Sequence, residues 1–550
     1  MKHKSLVFCT IFVGALAIAA CSTRRPGEQD AKTVRAIKTN TRYDDLLTLF
    51  KDWREFQRPK WESGVPDFTP AAIEKQKEGL RELQNRLKAI DTSSWPISQR
   101  VDYLIVRAEM NGMEFDHRVM KPWARNPCFY WVASRTPMDL FAEGPDKVFV
   151  LVLGQLPLPE REIPEFRRRL EAIPKILEQA RANLVLDAKD LWLLGIRKKK
   201  HESAELSDYA SELAKYHPEL VPAVERAKIA VDDFRTWLER RVNVMTAPSG
   251  IGTDNYDWYE KNVHYVPYTF KEQMILCERE LERALAFLKI EENKHRRLPP
   301  LEPVEDEKEL RRRFDDACKG IMDFIRQEDI FTAPDWLKVS YELGPFIPPN
   351  PPRDFFIQIE YRDSMPMKCH STHNMDDLRQ AHYAHPIRGG PPLLYSIWDT
   401  RAEGLATGFE ETMLQAGLFE KRPQARELIY ILLANRAARA IAGMKMINNE
   451  FTLEQAVDYA VKMTPRGWLP REAETVWFDM NLYLHQPGYG SSYVIGKIML
   501  DKMMADRAYQ LEDKFVLRNF FDEFHAAGMI PLSLIRWEMT GLEDEIKKML

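Results

Sequence analysis

The sequence predicts a mainly α-helical protein, a large helical bundle with one short strand segment beside a central cleft. Three observations lead there. Apolar residues recur at three- and four-residue spacing over long stretches, as in Val221, Val224, Ala227, Val231, Phe234, Leu238 and Val242, which marks one face of a helix. Capping boxes open several of these stretches, among them Thr269-Phe270-Lys271-Glu272 and Thr452-Leu453-Glu454-Gln455. A proline-rich break, Pro345 to Pro352, precedes Asp354-Phe355-Phe356-Ile357-Gln358-Ile359-Glu360-Tyr361, whose aromatic and β-branched content makes it the strand candidate.

Taken in order, the chain begins with an export signal. Lys2 and Lys4 supply positive charge, Leu6 to Ala20 is an uncharged apolar run too short to span a bilayer comfortably, and Ile18-Ala19-Ala20-Cys21 has the form of a bacterial lipobox. Residues 1–20 then read as a lipoprotein signal peptide, Cys21 as the lipidated first residue of the mature chain, and 21–41 as a tether. Ser22 fits sorting to an outer membrane. Residues 42–344 form an N-terminal helical half and 345–550 a C-terminal, site-bearing half, the two joined in one continuous domain.

Of 550 residues, 45% are hydrophobic and 29% charged, which is globular composition, and the net charge of -4 gives no reason to expect nucleic acid. Basic runs such as Arg167-Arg168-Arg169 sit among glutamates and read as solvated helix faces. Cys128, Cys277, Cys318 and Cys369 are too scattered for a disulfide framework; one bridge or four buried thiols fit equally.

Chemistry concentrates between Glu360 and Glu411. Four of the 12 histidines, His370, His373, His382 and His385, fall here, and carboxylates follow at helical spacing. Met375, Leu378, Ala381, His382 and His385 share one helical face, so the last two imidazoles are expected to point inward together. Thr400-Arg401-Ala402-Glu403 reads as a capping box that opens the next helix, with Glu403 and Glu410 on one side. Metal-assisted hydrolysis needs imidazoles and carboxylates converging on one ion, an open position for water, and a base. The histidines with Glu403 supply such a set. The bland alternative is histidines that satisfy helix carbonyls and a glutamate that only caps. The HExxH signature, a Gly-x-Ser-x-Gly elbow and phosphate-binding glycine loops are all missing.

The C-terminal half resembles the bacterial family DUF885. Three segments carry the likeness. Ala402-Glu403-Gly404-Leu405-Ala406-Thr407-Gly408-Phe409-Glu410 is similar to a Glu-Gly-Trp-Ala-Leu-Tyr-x-Glu block. Arg436-Ala437-Ala438-Arg439, followed by Phe451-Thr452-Leu453-Glu454-Gln455-Ala456, is similar to an Arg-Ala-x-Arg helix and the start of the next. Gln486-Pro487-Gly488-Tyr489-Gly490-Ser491-Ser492-Tyr493-Val494-Ile495-Gly496 is similar to a Pro-Gly-Gln-Ala-Leu-Ser-Tyr-Lys-Ile-Gly block. The resemblance implies a zincin-like helical peptidase architecture, a zinc cofactor, and Tyr493 as a donor to a developing oxyanion.

The departures from that pattern are chemical. Where the resemblance leads one to expect His-Glu-x-x-Pro-Gly-His-His, the chain reads Arg379-Gln380-Ala381-His382-Tyr383-Ala384-His385-Pro386. A guanidinium cannot ligate a cation, and an amide cannot act as the base. Gly443 and Ile447 stand where Asp and His are usual. Two readings follow. In one the centre is re-sited on His370, His373, His382, His385 and Glu403, with Glu360, Asp363 or Glu410 as base or support, and cleaves peptide-like substrates. In the other the domain is a pseudoenzyme that binds a peptide or other envelope ligand, Arg379 replacing the metal's charge, with Gln380 and Tyr489 lining the cleft.

Overall fold

The structure, a computed structural model, describes residues 42–62, 64–135, 149–339 and 342–550. The signal, Cys21 and the tether lie outside the described residues. Residues 41–550 form one compact unit. It is mainly helical, with two small sheets of two-residue strands: Trp61–Glu62 pairs antiparallel with Val65–Pro66, and Ala133–Ser134 pairs parallel with Leu151–Val152.

The helix at the centre is Ala425–Ile447, in which alanine, leucine and isoleucine are spread round the whole circumference and 20 of 23 residues are buried. A helix apolar all round must be surrounded. Its neighbours are Phe270–His295, Leu453–Met463 and Tyr489–Leu511. The boxes at Thr269 and Thr452 cap the first two of these as the sequence indicates, and Val221–Val242 buries the predicted apolar face.

The closest crossing joins Asp399–Gln415 to Tyr489–Leu511. A Cβ on Gly404 would lie 2.4 Å from the Gly496 carbonyl carbon, and one on Gly496 would lie 2.2 Å from the Thr400 carbonyl oxygen. Only glycine lets these backbones touch.

Two local expectations are corrected. The segment expected as a strand is the helix Phe355–Arg362. Asp354 caps it by accepting from the Phe355 N–H, and Phe355 and Ile359 bury themselves one turn apart, so tertiary packing overrides β-propensity. Thr400 does not cap either. The helix starts at Asp399, and Thr400 and Glu403 are both buried within it. The four cysteines are free thiols, with Cys277 and Cys369 buried.

Candidate metal centre

Two short helices present the imidazoles. Met365–Cys369 ends at His370, Ser371 turns the chain, and Thr372–Ala381 carries His373 in its first turn. The two rings meet nearly edge to face, with centroids 5.0 Å apart. Glu403 rises beneath them from Asp399–Gln415. Its Oε2 lies 3.2 Å from His373 Nε2 and 3.8 Å from His370 Nε2, and one ligand atom from each of the three residues falls within 4.8 Å of the others. Despite that proximity Glu403 Oε2 is buried and makes no aligned hydrogen bond. Both imidazoles are half-buried, so the cluster opens to solvent on their side.

Supports surround the cluster. Tyr489 Oη donates to Glu403 Oε1 at 2.5 Å, and the Tyr489 ring packs against Tyr483 and Tyr493. His370 Nδ1 lies 3.0 Å from Glu410 Oε1 and 3.1 Å from Arg436 Nη2. Arg436 in turn grips both oxygens of Glu410, at 2.5 and 2.7 Å, and that pair is fully buried. One turn on, Arg439 pairs with Asp479, and its guanidinium sits 5.3 Å from the Tyr493 ring centre.

Charge states follow from these neighbours. Burial pushes the Glu403 carboxyl up, but His373, His370 and the Tyr489 hydroxyl outweigh it and hold the group down to about 2. His370 is lowered by burial and by Arg436, against the pull of Glu410. His373 is opposed by burial yet raised by Glu403. Tyr489 and Tyr493 are raised well above the phenol range by burial and by Glu403, so both hydroxyls keep their protons.

The remaining predicted residues do not join the cluster. His382 lies just past the end of its helix, exposed, with its ring stacked 4.1 Å from Trp336 and Nδ1 2.8 Å from the Leu378 carbonyl. His385 is turned away. Its Nδ1 accepts from the Ile387 and Arg388 N–H groups, and its Nε2 faces Asp102 Oδ2 at 3.7 Å. The helix expected to carry both inward stops at Ala381, ahead of Pro386, so the shared face never forms.

Arg379 donates to Asp376 at 3.0 Å and lies over the Phe331 ring, while Gln380 donates to the Arg388 carbonyl at 2.6 Å. Glu360 pairs with Lys368, and Asp363 is held by Arg422 and the Met365 N–H. Glu410 supports the centre from below. Sequence reasoning passed over Arg436 as a site residue, although arginine in so apolar a helix signals a buried partner. Asp377 stands one turn along the helix from His373; burial and Asp376 raise its carboxyl, and His373 lowers it.

Residues 386–539 match the family described as "Bacterial protein of unknown function (DUF885)". The match takes in Glu403, Glu410, Arg436, Tyr489 and Tyr493, whereas His370 and His373 lie upstream of it. No curated protein matches the chain.

Two solved structures share the fold. One, described as a "putative lipoprotein of unknown function" from Shewanella oneidensis, is 17% identical, covers 90% of this chain and 97% of its own, and has a TM-score of 0.63. The other, a "putative lipoprotein" from Colwellia psychrerythraea, is 14% identical, covers 91% and 99%, and has a TM-score of 0.65. At these identities the likeness is one of fold alone.

Proposed function

We propose that the chain is a metal-dependent hydrolase of peptide-like substrates with a zincin-like helical architecture, its metal held by His370 Nε2, His373 Nε2 and Glu403 Oε2. The reading rests on one observation: these three atoms converge, and the buried Glu403 oxygen among them lacks an aligned hydrogen bond. Two imidazoles and a carboxylate with one side open form a donor set that suits catalytic zinc. Bound there, the ion supplies Lewis acidity.

The chain's own groups do the rest. Glu410, clamped by Arg436, accepts a hydrogen bond from the Nδ1–H of His370 and so directs its Nε2 lone pair at the cluster. Tyr489 fixes the carboxylate of Glu403. Tyr493 keeps its proton and serves as donor to a developing oxyanion. Glu410, Glu360 and Asp363 are tied up in ion pairs; Asp377, on the His373 helix and within electrostatic reach of His373, is the carboxylate we assign to accept a proton from the attacking water. The lipobox at Cys21 and the lipoprotein descriptions of the fold relatives support anchoring in the bacterial envelope, at the outer membrane by Ser22.

The pseudoenzyme reading needs the Arg379 charge in the cleft. Arg379 instead faces Asp376 and Phe331.

Metal analysis of the purified, lipidated chain tests the hydrolase. Stoichiometric zinc is expected, lost in His373→Ala and in Glu403→Ala, together with cleavage of a fluorogenic peptide library that chelation abolishes and zinc restores. A metal-free protein whose peptide binding ignores chelators replaces the hydrolase with the binder.

A further inference from the structure

Far along the chain from the metal cluster, two loops present apolar side chains to solvent. Val185, between helices Ile163–Asn183 and Lys189–Tyr216, is 73% exposed, and Val244, after helix Val221–Val242, is 81% exposed. Isolated exposed valines are ordinary. These two are braced together. Asp187 Oδ2 accepts from the N–H groups of Thr246 at 2.8 Å and Ala247 at 3.1 Å, and the Lys189 N–H donates to the Ala247 carbonyl at 3.2 Å. Leu186, 37% exposed, extends the apolar tip and is tied by its own N–H to the Ala124 carbonyl.

The rim is basic. Arg181, Lys189, Arg240 and Arg241 lie within about one helical turn of the tips, and all four are exposed. Arginines elsewhere in the chain repeatedly find carboxylates, as Arg312 and Arg471 do. Among the described residues none of these four forms an ion pair. Arg181 and Arg241 rest instead beside the Phe234 and Trp237 rings.

We infer that the braced tips at Val185 and Val244, with their basic rim, are an interfacial contact to an anionic phospholipid surface. An apolar tip ringed by lysine and arginine matches the two layers of such a surface: the side chains enter the acyl boundary while the cations meet phosphates. The apolar tip is only three side chains, too small for a stable protein partner, which buries about 800 Å² on each side. No described helix is long and apolar enough to cross a membrane, so the contact is to the interface.

The lipobox gives the contact its purpose, a step that rests on lipidation of Cys21. Twenty residues separate that cysteine from Arg42, where the described body begins. The anchor makes a second, weak contact effectively intramolecular, and the tips then choose the face.

Hydrogen exchange on the full lipidated chain tests this. The probes are vesicles of phosphatidylethanolamine with phosphatidylglycerol, vesicles of phosphatidylcholine alone, and nonionic detergent micelles. Exchange at 184–187 and 243–247 is expected to slow by on the order of fivefold in the anionic vesicles only. The slowing should vanish in Val185→Asp with Val244→Asp and in Arg240→Glu with Arg241→Glu, surface changes that leave the core intact. Unchanged exchange in anionic vesicles overturns the inference, as does equal protection in phosphatidylcholine. Protection that grows with protein concentration in micelles also overturns it, assigning the tips to a second copy of the chain.

Discussion

Tyr489 and Glu403 are joined by a 2.5 Å hydrogen bond between two helices whose backbones touch at Gly404 and Gly496. The bond occupies Oε1 and leaves Oε2 for the imidazoles. Tyr489→Phe removes the donor without changing the packing volume. Zinc affinity, read by competition with a chromogenic chelator, should fall by roughly 10–100-fold. Unchanged affinity would mean that Glu403 is oriented by something else.

The glycine crossing makes a separate claim. Gly404→Ala and Gly496→Ala each drive a methyl into backbone atoms that no rotamer change relieves, and each should lower unfolding free energy in urea by about 1–3 kcal/mol. A midpoint equal to that of the parent protein refutes the crossing.

Arg436 and Glu410 share a fully buried ion pair, so removing one partner strands the other. Arg436→Met should destabilise by about 3–5 kcal/mol, and adding Glu410→Leu should recover much of that loss. If the double variant is as unstable as the single, charge stranding is not the cause. The double variant also lacks the acceptor for His370 Nδ1 and should bind zinc more weakly even when well folded.

His117 supplies a pH dependence. It is buried, neither ring nitrogen has a hydrogen-bond partner, and burial lowers it to about 4, with Lys77 reinforcing the shift and Glu74 opposing it. Its unfolded value is near 6.5. Between the two values the unfolded chain binds the extra proton, so this contribution is fully present above pH 6.5 and is lost as pH falls toward 4. The loss amounts to as much as about 3 kcal/mol. Urea midpoints measured across that window should decline less steeply in His117→Phe than in the parent. Parallel curves would place the titration elsewhere.

Much of the architecture could be read from local chemistry. The capping boxes at Thr269 and Thr452 and the apolar stripe of Val221–Val242 are where their residues indicate, because caps and periodicity act over a few residues. The errors arose where a distant contact outvotes a local preference. Phe355 and Ile359 have strand character, yet burial on one helical face decides their state. Thr400 has the form of a cap but sits inside a helix that begins one residue earlier.

The site divides in the same way. His370, His373 and Glu403 were all legible as residue types, but nothing local tells His373, which meets Glu403, from His385, which meets Asp102. That distinction depends on where the helix stops and on an aspartate 283 positions away.

The glycine contact between Gly404 and Gly496 bears on how such a centre can change. Glu403 and Tyr489 ride on helices fused at that point and cannot shift without unpacking the core. His370 and His373 ride on two short helices that pack over it. The cluster therefore draws its carboxylate from the deep helix pair and its imidazoles from the two short helices. The deep helices fix the acid, and through Glu410 and Arg436 they also hold His370, so His373 is the member of the cluster placed by its short helix alone.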